Sequence, residues 1–186
     1  MTISLARRSI VAATSLVLAA ALALGACGGS SDTSNKKKNQ LLNAGLQAEV
    51  QGDYKTAKKN FEDLLKVDPT NKFAHYNLGY IAQTQDRNGT EAAKHYEEAL
   101  KTDPEYGPAL YNLAIIKTAD GNDAGAILLY QRAATANPTD ANTQLNLGFL
   151  LYKTGDKSGA DEAFRKAIAL NPALKTRIPA NQRPTG

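Results

Sequence analysis

The chain has 186 residues, 42% of them hydrophobic and 22% charged, which suits one globular domain of ordinary size. Its formal net charge is +4, with lysines and acidic residues mixed along the chain, so no basic stripe of the kind that grips nucleic acid is present. The single cysteine, Cys27, excludes an internal disulfide and a multi-thiolate metal site.

In chain order, the first feature is a positive pair, Arg7 and Arg8, followed by an apolar run from Ile10 to Leu24. That run is short for a bilayer span of roughly 20 residues, and the arrangement reads as a secretory signal over residues 1–26. Leu24-Gly25-Ala26-Cys27 resembles a bacterial lipobox. The resemblance implies cleavage before Cys27 and diacylglycerol on its sulfur. The chain would then be lipid-anchored on the extracytoplasmic face of a bacterial cell membrane. The alternative is an ordinary signal cut after Ala26 that leaves a free thiol. Loss of Arg7 and Arg8 leaves a net charge of +2. The alanine-rich signal and the Gly- and Ser-rich junction look like lipoproteins of high-GC Gram-positive bacteria. Residues 27–37 are expected to be a flexible tether, because Gly28 to Ser34 can bury little apolar surface. Lys36, Lys37 and Lys38 read as a solvated cluster, with weak attraction to anionic headgroups as the sharper alternative.

From residue 38 the chain repeats. Asp68-Pro69, Asp103-Pro104, Asn137-Pro138 and Asn171-Pro172 recur, with prolines 35, 34 and 34 residues apart. Gly45, Gly79, Ala114 and Gly148 share one register position, and Ala57, Ala92, Ala126 and Ala160 another. Phe61, Tyr96, Tyr130 and Phe164 follow those alanines by four residues, one turn along the same helix face. The small residues let paired helices approach, the aromatic fills the wedge beside them, and proline ends the second helix. Turns fall at Gly52-Asp53, Asn88-Gly89, Gly121-Asn122-Asp123 and Gly155-Asp156, where glycine ends one helix and Asp, Asn or Thr90 caps the next.

These motifs resemble the tetratricopeptide repeat (TPR) family, over residues 38–172. Leu78-Gly79, Leu147-Gly148 and the four Ala-x3-aromatic steps carry the likeness. It implies an all-α fold, a right-handed α-α superhelical solenoid of four helix-turn-helix repeats at about 38–71, 72–106, 107–140 and 141–174. Three positions depart from the family pattern: His75, Gln144 and Lys117.

In such a solenoid the first helix of each repeat lines the concave side. Residues spaced by three or four then form a candidate peptide-binding groove: Leu42, Asn43, Leu46, Phe73, Tyr76, Asn77, Tyr80, Tyr111, Asn112, Ile115, Asn146, Phe149 and Tyr152. Glu49, Leu145 and Lys153 share that face. Six of the twelve aromatic residues map there, and aromatics suit reversible interfaces. Asn43, Asn77, Asn112 and Asn146 form an amide ladder able to pair with an extended peptide backbone. Two blander readings stand beside this one: the amides bond within or between repeats, and the rings pack against the neighbouring repeat. The carboxylate clamp of one TPR subgroup needs cations that are absent here, since the matching residues are Leu42, Leu46, Pro108 and Asn112, or Tyr76, Tyr80, Asn142 and Asn146.

The last segment, 173–186, is a short tail and partial cap. Ala173 to Ile178 is expected to form about one and a half turns that lay Leu174 and Ile178 over the last helix. Poor cover would leave an edge for weak self-association. No catalytic constellation is evident: His75 sits where inter-helix packing is expected, His95 on an outer helix face, and no metal or phosphate motif appears. No enzyme activity and no cofactor are expected. The functional reading is a membrane-anchored scaffold that binds a peptide segment of an envelope protein, in line with the likeness of lipid-anchored repeat proteins to pilus-secretin pilotins and outer-membrane assembly factors. Alternatives are a self-associating structural lipoprotein and an envelope carrier of a small molecule or glycan.

Overall fold

Eight α-helices follow one another in antiparallel pairs in the computed structural model, which describes residues 31–184. They are α1 (Ser31–Val50), α2 (Tyr54–Val67), α3 (Lys72–Thr84), α4 (Gly89–Thr102), α5 (Gly107–Ala119), α6 (Asp123–Ala136), α7 (Ala141–Thr154) and α8 (Lys157–Leu170). Two short 3-10 turns, Pro172–Arg177 and Ala180–Gln182, complete the described chain. Helices pack most heavily within the pairs α1/α2, α3/α4, α5/α6 and α7/α8, and then second helix to following first helix. This sequential stacking, with α3 also touching α5, is a right-handed solenoid of four repeats.

The repeated residues explain the pairing. Phe61, Tyr96 and Phe164 are fully buried, each against the glycine of its own repeat's first helix. A Cβ at Gly45 would lie 2.5 Å from Phe61, one at Gly79 2.8 Å from Tyr96, and one at Gly148 2.6 Å from Phe164. The ring thus occupies the volume that a side chain on the facing helix would need, and glycine sets the interaxial approach. Repeat three makes the same contact with a methyl, Ala114, facing Tyr130.

The turns use one device four times. Asp53, Asn88, Asn122 and Asp156 each accept a hydrogen bond from the backbone N–H three residues on, capping α2, α4, α6 and α8. Gly52, Gly121 and Gly155 turn the chain with φ of +77°, +76° and +95°. Repeat two differs from expectation. Its extra residue moves the left-handed position to Arg87, at φ 53°, and Gly89 becomes the first residue of α4. Each second helix ends at its Asp/Asn-Pro pair, at Val67, Thr102, Ala136 and Leu170.

Both ends bear on the sequence reading. The tether expected over 27–37 is shortened, because α1 reaches back to Ser31. Asp32 lies in its first turn, where a carboxylate favours the helix dipole, and side chains 32–37 are exposed, so this extension adds helix without adding core. The signal segment and the lipobox with Cys27 lie outside the described residues. At the other end, Leu174 and Ile178 are buried beside Phe164 and Ala167, so the last repeat has an apolar cover and the poorly covered edge considered for self-association does not arise there. No helix among the described residues is long and apolar enough to cross a membrane.

Candidate functional site

The inner face is built from α1, α3, α5 and α7, and its aromatic residues stand with one side against the repeat core. Tyr76 packs on Tyr96 at 5.9 Å between ring centroids and edge-on to Tyr106 at 5.4 Å. Tyr111 meets Tyr130 at 6.0 Å, and Phe149 meets Phe164 at 5.2 Å. Leu42, Tyr76, Tyr80, Tyr111, Asn112, Ile115, Asn146, Phe149 and Tyr152 are half-buried. Leu46 and Phe73 are open, at 39% and 37% exposure, and Asn43 is exposed. The ring row is therefore one surface with two duties: its inner edges hold the helices together and its outer edges face water.

The amide ladder departs from expectation. Asn77 is buried, and its Nδ2 donates to the Phe73 carbonyl at 2.8 Å within its own helix. The Asn146 Nδ2 donates to the Tyr111 hydroxyl at 3.0 Å, one repeat back. Asn112 is half-buried, and its amide works against the upward shift of the phenols of Tyr76, one repeat back, and of Tyr96. Asn77 and Asn146 are thus engaged inside the solenoid, Asn146 because stacked first helices place position six of one repeat beside the tyrosine at position five of the one before. Asn43, in repeat one, is exposed. Leu145, placed on the inner face by register, is fully buried in the core cluster that holds Leu174 and Ile178.

The electrostatics follow from burial. Desolvation pushes the Tyr76 and Tyr111 phenols above their usual range, with the amides of Asn112 and Asn146 partly offsetting it. It raises Tyr130 to about 12. Desolvation also raises the Glu49 carboxyl on α1, whose charge reaches the hydroxyls of Tyr76 and Tyr80. At the opposite end, Lys153 is paired with Asp123 at 2.8 Å, and Arg177 of the tail bonds Asn142 at 3.3 Å.

Tyr106 was outside the predicted set. It precedes α5, off the three-and-four spacing, yet its ring is edge-on to Phe73 at 6.0 Å and to Tyr76. Lys72 Nζ lies 5.2 Å from the centroids of both Phe73 and Tyr106 and 2.7 Å from Asp103. The only signal in the sequence was a tyrosine just after the Asp-Pro pair.

The histidines form a structural chain. His75 Nδ1 meets His95 Nδ1 at 3.2 Å, His75 Nε2 meets the Pro69 carbonyl at 3.0 Å, and His95 Nε2 meets Glu91 at 3.3 Å. His95 is thereby half-buried rather than on the outer face, and desolvation lowers its pKa against the opposing pull of Glu91. Among the described residues, no group of three or more His, Cys, Asp or Glu is placed to hold a metal ion.

Tetratricopeptide repeat models match residues 42–89, 84–141 and 141–174, well over half of the chain. The chain belongs to the tetratricopeptide repeat family. Solved structures similar to it share the fold. MamA protein is 22% identical over 76% of this chain and 77% of its own, with a TM-score of 0.67. Pseudomonas aeruginosa pilF is 23% identical over 77% of this chain and 65% of its own, with a TM-score of 0.66. YrrB, described as a TPR protein with an unusual peptide-binding site, is 20% identical over 80% of this chain and 76% of its own, with a TM-score of 0.68. No curated protein matches the chain. The family and fold make the chain a protein-interaction scaffold.

Proposed function

We propose that the chain is a lipid-anchored, extracytoplasmic scaffold that binds a peptide segment of an envelope protein on its concave face, without catalysis. The observation that carries the binding reading is the water-facing row of Leu46, Phe73, Tyr76 and Tyr80, apolar or aromatic and uncharged, on a wall whose backbone is already fixed by stacking. A rigid wall loses little entropy on binding, so a modest contact area suffices for roughly micromolar affinity. The anchor rests on the lipobox-like Leu24-Gly25-Ala26-Cys27, and the peptide ligand agrees with what is said of YrrB.

The test is a crosslinking pull-down from membranes, comparing the native chain with Leu46→Ala/Phe73→Ala/Tyr80→Ala. These positions are chosen because they are open or half-open, so the solenoid keeps its fold. The expected result is a partner lost from the variant; a partner retained equally by both contradicts the groove. Metabolic labelling with a tagged fatty acid should mark the native chain and not Cys27→Ala, and a native chain that takes up no label contradicts the lipid anchor.

A further inference from the structure

The outer side of the solenoid carries a cleft that the peptide reading leaves unused. From α3 onward each first helix packs between the second helix of its own repeat and that of the repeat before, which makes outer grooves floored by α3, α5 and α7. The first two are filled by the chain's own side chains. In one, His75 of α3 meets His95 of α4 at 3.2 Å. In the next, Leu110 of α5 is fully buried and Lys117 of α5 reaches Glu97 of α4 at 3.3 Å. The third, between α6 and α8, holds a cleft of about 370 Å³ floored by Gln144, Leu147 and Leu151 of α7.

Register explains the opening. Ala163 stands where repeats two and three have His95 and Leu129, and Ala134 stands where repeat two has Leu100, so methyls line the third groove in place of a ring and branched side chains. Gln144 stands where those repeats have His75 and Leu110. It is 8% exposed, and among the described residues its side-chain amide makes no hydrogen bond, whereas both ring nitrogens of His75 have partners. No side-chain nitrogen or oxygen among the described residues is both shut off from the exterior and unpartnered, so the Gln144 amide opens into the cleft that it lines. A polar group at that depth is stabilised by a partner that enters with it. The charges at the rim are already engaged: Glu162 pairs with Lys166 at 2.6 Å, and Asp156 caps α8.

We infer that the cleft between α6 and α8 is a binding site for a small, uncharged nitrogen heterocycle, its ring over Leu147 and Leu151 and against Ala134 and Ala163, its polar edge on the Gln144 carboxamide. The volume lies at the lower end of small-molecule sites, about 300–1,000 Å³, which form between helices and combine apolar walls with a few placed polar groups. A carboxamide both donates and accepts, which suits a ring bearing an N–H and a bare nitrogen. Repeat two holds the filled counterpart: the His95 ring occupies the corresponding place and bonds His75, the residue in register with Gln144. The site is independent of the inner-face reading.

The test is an NMR titration of the full chain, labelled with nitrogen-15 at glutamine, with benzimidazole. The side-chain amide signal that is missing from Gln144→Leu should move on titration of the native chain. Affinity should fall about fivefold to tenfold in Gln144→Leu, by loss of the amide contact, and should be abolished in Ala163→His, which brings the ring of repeat two into the cleft. Both variants carry residues that another repeat holds at the same position, so the packing accepts them. A Gln144 signal that does not move, or an affinity that either variant leaves unchanged, overturns the site. Movement of that signal with N-acetylhistidinamide and none with benzimidazole overturns the free ligand and assigns the cleft to a partner's side chain.

Discussion

In repeats three and four the inner face is closed upon itself: Asn146 bonds Tyr111, Phe149 rests on Phe164, Leu145 is fully buried, and Arg177 of the tail reaches Asn142. In repeats one and two the corresponding surface is more open: Asn43 and Leu46 face water, Phe73 is 37% exposed, and Glu49 has no ion-pair partner among the described residues, while Asn77 is buried and bonded within its own helix. The two halves share one repeat and one packing rule, so the difference comes from what lies beyond each. Repeat four is followed by a tail that covers it, and among the described residues no repeat precedes repeat one to engage its amide. The same register position is therefore bonded at Asn77 and Asn146 and open to water at Asn43.

The largest effect should fall equally on both halves, since the buried ring is common to them. Phe61→Ala and Phe164→Ala each leave a large void at a site with no exposure and should cost about 3–5 kcal/mol in denaturant unfolding. A loss at one site much smaller than at the other would show that the repeats do not stack as one cooperative unit.

The amides should separate the halves. Asn146→Ala removes an inter-repeat bond and leaves the half-buried Tyr111 hydroxyl unpaired, at a cost of about 1 kcal/mol. Asn43→Ala, at an exposed position, should change stability by less than about 0.5 kcal/mol. Equal costs would contradict the distinction drawn between them.

A smaller effect is pH-dependent and local to repeat two. His95 has a pKa lowered from 6.5 by burial, so the unfolded chain binds the proton more readily than the folded one. Its contribution to stability is present above pH 6.5 and is lost as pH falls from there through the folded value. His95→Gln should flatten that part of the stability profile, and an unchanged slope would exclude His95 as its source.

Much of this was legible in the sequence because the repeat writes the same physical requirement four times. The glycine facing each ring, the cap at each turn and the Asp/Asn-Pro stop are local needs that leave local marks. Contacts between repeats leave weaker marks. The bond from Asn146 to Tyr111 depends on how far one helix is rotated against the next, which spacing within a helix does not encode. Tyr106 reaches the inner face from a turn, outside any helical period. Arg87 takes the left-handed position because an inserted residue displaced the nearby glycine, and α1 begins at Ser31 although side chains 32–37 are exposed.

The central claim is that recognition is concentrated on the inner face of repeats one and two. Photo-crosslinking side chains placed singly at Leu46, at Tyr152 and at Leu128, which is 62% exposed on α6, test it in intact cells. The account predicts a strong partner crosslink from position 46, a weaker one from 152 and none from 128. Crosslinks to the same partner from 128 with equal or greater yield would contradict it.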